Sequence, residues 1–593
     1  MALKLRLRPR SISASRTKCP IPVARSKTEN GDETMWSFTK PFAQPFNSLF
    51  ASGEAVTLTS KKQYTVKTTS TYEGTQYDDL VTLYENDAMT VNTYGGNDIV
   101  KLYGFGDYTV NTGADADHVH ILGTGTVNAN SGGGNDTFFV KEIGSHVLDG
   151  GQGPDDTVSF NGLTKGVIAD LTSGKAYFAG SGAEKVTMRG IESLWGSAHD
   201  DMLRGNDGAN VLFGGGGHDQ IFGEGGDDTI HAGNGDDFVA GGAGDDDIDL
   251  SGGNDTVFGG AGDDKIVSVS GFNEIHAGSG ADEVYGGSDD DIIHGGDADD
   301  QSNDHFSGGL GSDTLDYSDA AGGGFFDMKL GKVTGTAAGK TLVETDGNMV
   351  TYTVFKDTFD GFEVVHGTAF NDTFRGTDSM HERDKMYGGA GDDRFIATWG
   401  DDIYNGGWDQ HRYGEGDEDF GVDIVDYSHL DGTISVNLNA GKGHFEWQGF
   451  WANWIPEFTD TYHEIDGIVG TDNNDTFVGN HFDNVFEGGG GYDVATGNGG
   501  SDTFVFRNSG DYAYDTITDF TSGEDVLELV GMKLNTGERV DDFSVLDSND
   551  DGVIDRQDDA MFTAGDNGYL MLQNQIIHMQ QVSELQSDDF LLA

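Results

Sequence analysis

One cysteine, Cys19, stands in 593 residues, so no intrachain disulfide forms and stability in an oxidising compartment has to come from elsewhere. Apolar residues make up only 35% of the chain, too little for a conventional large core, although the length would accommodate several domains. No apolar run is long enough to cross a bilayer as a helix, and the chain reads as soluble. Positive charge is scarce: 34 Lys and Arg stand against 102 Asp and Glu, a formal net charge of −68. Spread along the chain, that charge repels phosphates and excludes nucleic acid as an electrostatic partner. Cations are its natural counterpart. Catalytic signatures are missing as well. His381-Glu382 runs on into Arg-Asp-Lys and His463-Glu464 into Ile-Asp-Gly, so there is no HExxH, and no GxSxG elbow occurs. The stretch GTAAGKT at 335–341 is one residue short of a phosphate loop. Acids are too abundant for a carboxylate pair to signal acid/base chemistry, and the chain reads as a non-enzyme.

What is present is glycine, 93 residues of it, and aspartate in a fixed beat. Low hydrophobicity with high net charge is the composition of disorder, but the aliphatics are placed regularly. Residues 196–294 divide into eleven nine-residue units without an insertion, beginning GSAHDDMLR, GNDGANVLF, GGGGHDQIF. Position 8 is aliphatic in every unit, from Leu203 to Ile293, and position 6 is Asp except at Asn210 and Asn273. Upstream, Asp79, Asp98, Asp117 and Asp136 recur every 19 residues, one coil per repeat. The nonapeptide returns at 367–375, 388–405 and 470–505, and between the blocks lie three similar spacers, VSFNG…RGIESLWGSAHDD, LDYSD…DGFEVVHGTAFND and VDYSH…DGIVGTDNND.

A unit of six turn residues and three strand residues predicts a parallel solenoid: two units make one coil, and glycine serves turns at positive φ. Coils stack about 4.8 Å apart. Position-6 carboxylates then fall into two ladders, Asp201, Asp219, Asp237, Asp255, Asn273, Asp291 on one side and Asn210, Asp228, Asp246, Asp264, Asp282 on the other. Two carboxylates at that spacing repel by roughly 3.5 kcal/mol at an effective dielectric of 20. A hard cation relieves this, and calcium, with six to eight oxygen ligands, suits acids plus turn carbonyls better than magnesium or zinc. The expected ligands are Asp201, Asp219, Asp228, Asp237, Asp246, Asp255, Asp264, Asp282, Asp291, Asp313, Asp372, Asp393, Asp402, Asp475, Asp493 and Asp502, with several Ca2+ bound and weaker sites beside Asn210 and Asn273.

These units resemble the GGxGxDxUx nonapeptides of repeats-in-toxin (RTX) hemolysin-type proteins. The resemblance implies an all-β fold of parallel β-roll or β-helix segments joined by strand-rich spacers, calcium in the turns, type I secretion and folding outside the cell. DTITDFTSGEDVLEL at 515–529 resembles the segment that closes the roll of serralysin-type metallopeptidases, and the tail SELQSDDFLLA looks like an uncleaved type I signal. A second calcium motif, DSNDDGVIDRQD at 547–558, matches an EF-hand loop with Asp547, Asn549, Asp551, Asp555 and Asp558 as ligands, Gly552 at the turn and Val553 offering a carbonyl; Asp at the twelfth position departs from the usual Glu. The alternative reading of that loop is a surface Asx turn.

The layout expected is a basic extension, 1–34, read as an over-called start before Met35; a linker, 35–60; a solenoid of 19-residue coils, 61–160; a spacer, 161–195; the main roll, 196–316; a spacer, 317–366; a second roll segment, 367–412; a spacer with a Trp-rich insertion, 413–469; a third roll segment, 470–506; the serralysin-like segment, 507–546; the EF-hand-like loop, 547–559; and the secretion signal, 560–593. Trp447, Trp451 and Trp454 fall at helical spacing, either the spacer's own core or a platform for sugar rings. The 17 histidines, His218, His231, His276 and His294 among them, read as scattered and solvated. The function expected is that of a secreted, extracellular calcium-binding surface, matrix or adhesion protein whose folding is gated by external calcium. Its partners would be the type I export apparatus and a polysaccharide or cell-surface ligand. A polysaccharide-binding or polysaccharide-modifying protein is the alternative, since alginate epimerases carry similar rolls.

Overall fold

The computed structural model describes residues 71–592 apart from 85, 143, 181–185, 296–301, 337–342, 346–347, 351–352, 380–382, 408–420, 448–456, 509–511, 550, 559 and 565–566. The basic extension, the linker and the first ten residues of the N-terminal solenoid lie outside the described residues. The described chain is strand and turn, with the one-turn 3-10 helices Leu438–Ala440, Phe543–Val545 and Ser587–Asp589.

Successive repeats alternate between two parallel sheets, so each strand pairs with the one 18 residues away. Val211–Gly216 lies beside Thr229–Asn234 with Leu212 opposite Ile230, and Gln220–Gly225 lies beside Phe238–Ala243 with Ile221 opposite Val239. The position-8 aliphatics from Leu203 to Ile293 are all fully buried between the sheets. In the main roll the strands from Val211–Gly216 to Glu283–Ser288 are six residues long rather than three, whereas Thr476–Val478, Val485–Glu487 and Val494–Thr496 of the third block keep the three-residue length. Thr229–Asn234 joins positions 7 to 9 of one unit to positions 1 to 3 of the next, because the glycines keep the inter-coil ladder going, Gly215 opposite Gly233. Only positions 2 and 4 need the left-handed region, as at Gly215 (φ 110°) and Gly217 (φ 119°).

The N-terminal coils stack in the same way with a 19-residue step, Val81 opposite Val100, Val100 opposite Val119, Val119 opposite Phe138. The spacers do not interrupt the sheets. Each inserts an antiparallel excursion of three strands: Val167–Asp170, Lys175–Phe178 and Val186–Arg189; Gly324–Asp327, Lys332–Thr336 and Thr353–Asp360; Gly432–Asn437, Lys442–Trp447 and Phe458–His463. In each, the first strand runs ahead to pair in parallel with the coming coil and the third returns to pair with the preceding one. Period-2 burial along these strands, as in Gly432–Asn437, places Ile434 and Val436 in the core. The serralysin-like segment supplies two more solenoid strands, Ala513–Ile517 and Val526–Val530, and the tail Phe590–Leu592 adds an edge strand beside the latter.

Candidate metal centre

Because the coils register at 18 residues, each position-6 side chain reaches the backbone of its neighbour. Asp219 Oδ1 accepts the N–H of Asp201, Asp237 that of Asp219, Asp255 that of Asp237, Asn273 that of Asp255, Asp291 that of Asn273, and Asp313 that of Asp291, at 2.7–3.0 Å. The second ladder runs from Asn210 through Asp228, Asp246, Asp264, Asp282 and Asp304 to Asp357 in the same way. The N-terminal solenoid carries one such ladder, Asp79, Asp98, Asp117, Asp136 and Asp156.

One oxygen per carboxylate is thereby used. The other, Oδ2 of Asp219, Asp228, Asp237, Asp246, Asp255, Asp264, Asp291 and Asp313, is buried without a hydrogen-bond partner, as in Asp98, Asp117, Asp136 and Asp156. Position-1 glycine frames it: a Cβ on Gly214 would lie 2.5 Å from Asp219 Oδ2 and 2.4 Å from the Ala232 carbonyl, and one on Gly241 would lie 2.3 Å from Asp246 Oδ2 and 2.6 Å from the Gly259 carbonyl. Glycine is required here for space. Burial pushes these carboxyls up, to about 7 for Asp219, Asp228, Asp255 and Asp291, about 8 for Asp264 and about 6 for Asp237, Asp246 and Asp313; the donated backbone N–H offsets only part of the rise. Buried acid oxygens beside turn carbonyls, with no nitrogen or sulfur ligand, are a donor set that fits a hard divalent cation.

The ends of the ladders are chemically different from their middles. Asp201, Asp372 and Asp475 open the three blocks and have both oxygens occupied: Oδ1 accepts the N–H of Val167, Gly324 or Ile434 from the spacer, and Oδ2 the N–H of Ser197, Thr368 or Thr471. These three therefore differ from the open sites expected of every position-6 acid, because spacer backbone supplies the missing donor. Asp402 Oδ2 likewise accepts from the hydroxyls of Thr398 and Tyr404. Other ladder ends are closed by tyrosine. Tyr317 Oη donates to Asp357 Oδ2 at 2.5 Å, and Tyr427 Oη donates to Asp460 Oδ2. Asn273 shows how a ladder position is satisfied without charge: its amide donates to the Gly271 carbonyl and to Ser268 Oγ. Among the remaining expected ligands, Asp393, Asp493 and Asp502 each accept a ladder N–H, from Asp372, Asp475 and Asn484.

Several ladder members carry no nonapeptide signature. Glu192, Glu363 and Asp466, at the spacer exits GIES, GFEV and EIDG, accept the N–H of Asp156, Asp313 and Asp423 and carry the ladder across each spacer. Their fixed place just before the strand that rejoins the roll was the available signal. A second, exposed row was also missed: position-5 side chains Asp200, Asp227, Asp236, Asp245, Asn254 and Asp263 each accept an N–H from the next coil.

The EF-hand-like loop closes on itself. Asp547 Oδ2 accepts the Gly552 N–H at 2.8 Å, while Asp558 accepts from Ser548 and Asn549 with Oδ1 and from Asp555 with Oδ2. Asp551 Oδ1 accepts from Val553, whose strand with Ile554 pairs with Leu585–Gln586, and Asp555 Oδ1 caps Gln557. Trp447 ends a β-strand and packs on Trp399 at 5.5 Å, so the helical spacing with Trp451 and Trp454 does not describe it; a hairpin turning at Gly441 sets its direction. Trp451 and Trp454 lie outside the described residues. The histidines are not all scattered: His276 and His294 stack with ring centroids 3.9 Å apart beside Glu274, a grouping hidden in the sequence by the 18-residue step.

The RTX calcium-binding nonapeptide repeat family matches residues 195–230, 231–266, 268–301, 300–315, 357–379, 382–410 and 469–504. No curated protein matches the chain. Among solved structures, the extracellular lipase LipA from Serratia marcescens is similar at 14% identity with a TM-score of 0.16; the likeness covers 59% of this chain and spans only 45% of the lipase. The family matches fall on the units that build the two ladders, and calcium is the ion such repeats bind: over those residues the chain carries RTX calcium-binding nonapeptide repeats.

Proposed function

We propose that the roll is a calcium-gated structural element of a secreted surface, matrix or adhesion protein, with Asp219, Asp228, Asp237, Asp246, Asp255, Asp264, Asp291 and Asp313 as its principal ligands. The observation that carries this reading is the row of buried, unpartnered Oδ2 atoms. Ionised and without a cation, they oppose the fold; with calcium between coils, binding free energy becomes folding free energy. At low calcium the chain stays unfolded and fits an export channel, and in calcium-rich surroundings it closes coil by coil. The tail supports the same order of events. Asp589 is fully buried, accepting from Ser522 Oγ and the Gly523 N–H, so the full length of this acidic and apolar segment is accessible to export apparatus before the roll forms and is partly withdrawn afterwards.

Far-UV circular dichroism of the chain in chelator, followed by titration with calcium and with magnesium as control, tests the reading. A cooperative coil-to-β transition with calcium alone is expected. A complete β spectrum in chelator would refute gating and return attention to the glycan-binding alternative.

A further inference from the structure

The outer face of one sheet carries chemistry unlike that of the turns. Its parallel register sets Phe258 beside His276, His276 beside His294, His294 beside Asp316 and Asp316 beside His366. Glu274, two residues before His276 on the same strand, projects to the same face. His276 Nε2 lies 3.7 Å and His294 Nε2 3.9 Å from Glu274 Oε1, and the ligand atoms of all three fall within 4.8 Å of one another. On its other edge, His294 Nδ1 faces Asp316 Oδ2 at 3.6 Å, and the second oxygen of Asp316 is held by the Ser318 N–H at 2.9 Å.

We propose that Glu274, His276 and His294 form a binding site for a borderline divalent cation of the zinc class, separate from the calcium ladders. Three features carry it. Two imidazole nitrogens and one carboxylate are a zinc-type donor set, whereas calcium takes oxygen. Asp316 Oδ2 lies 3.6 Å from His294 Nδ1, and 3.8 Å from His366 Nδ1, on the ring edge away from the cluster, where tightening to a hydrogen bond on metal binding would complete a carboxylate–histidine–metal arrangement and leave Nε2 for the ion. His294 Nε2 is buried and has no hydrogen-bond partner. Ligands of a tetrahedral zinc with bonds of about 2.0–2.1 Å sit roughly 3.4 Å apart, close to the observed 3.7 and 3.9 Å to Glu274; the two imidazoles are stacked at 6°, so binding one ion with both requires one ring to rotate out of the stack to aim its in-plane lone pair. With three protein ligands, the fourth position is left for water or for a ligand group from a partner.

The test uses the full chain in millimolar calcium, titrated with Zn2+ by calorimetry with Mg2+ as control and the fold followed by circular dichroism. The expected result is one saturable Zn2+ equivalent. His294→Asn and Glu274→Gln should each weaken it at least tenfold, Asp316→Asn by 10- to 100-fold as a positioning residue. His231→Asn, on the other sheet beside Asp249 at 3.4 Å, should leave it unchanged. Absence of saturable Zn2+ binding by the folded protein overturns the proposal, as does binding that His294→Asn and Glu274→Gln leave intact. Glu274 is an exposed strand residue, so Glu274→Gln retains the fold and keeps the test decisive if His294→Asn does not.

Discussion

Replacing Asp237 by Asn should change stability with opposite sign in the presence and absence of calcium. Asp237 Oδ1 accepts the Asp219 N–H at 2.7 Å, a bond the amide oxygen of Asn can keep, while its buried Oδ2 has no partner. Burial pushes this carboxyl up to about 6. Holding it ionised at pH 8, against about 3.9 in the unfolded chain, costs on the order of 3 kcal/mol. An Asn amide would donate to the turn carbonyl two residues earlier, as Asn273 does to Gly271, so the metal-free roll should gain roughly 1–3 kcal/mol. In calcium at a thousandfold its dissociation constant, loss of one site removes about 4.1 kcal/mol, more than that gain. Thermal melts by circular dichroism in chelator, with sucrose to hold the metal-free roll folded, and in millimolar calcium would show the two signs. A shift of the same sign in both, or an unchanged calcium stoichiometry by calorimetry, would refute the assignment of Asp237 as a ligand.

The ladder carboxyls are raised in the fold to about 6–8, so the folded state binds more protons than the unfolded one, and metal-free stability should increase as pH falls from above about 8 toward the unfolded carboxylate range. In chelator, β-structure should therefore grow on acidification from pH 8 to 5, and calcium affinity by calorimetry should decline over the same window because protons compete for the same oxygens. Gly214→Ala should destabilise the calcium-loaded roll by roughly 1–3 kcal/mol, since its Cβ meets Asp219 Oδ2 and the Ala232 carbonyl, whereas Gly499→Ala, with nothing within 4 Å, should be neutral in the same melts. Tyr427→Phe leaves Asp460 Oδ2 without its donor and should cost about 1–3 kcal/mol in denaturant titrations.

Much of this protein is legible locally. A nine-residue beat with one aliphatic and one acid per unit sets the coil, its inward residue and the step of the ladders by arithmetic alone, because strand pairing at 18 residues repeats identical contacts. That is why the ladder from Asp201 to Asp291 could be written from the sequence, residue by residue. The sequence did not show which oxygens remain open. Asp201 and Asp219 occupy the same place in the same motif, yet spacer backbone closes the first and nothing closes the second. The spacers have no nine-residue beat, so their three-stranded excursions, the acids Glu192 and Glu363 that carry the ladders across, and the tyrosine hydroxyls on Asp357 and Asp460 depend on contacts tens of residues apart. The stacked histidines follow the same logic. Sequence puts His276 and His294 a full coil apart, and Asp316 and His366 further still, and only the parallel register, which brings equivalent positions of successive coils side by side, sets His276 beside His294, His294 beside Asp316 and Asp316 beside His366.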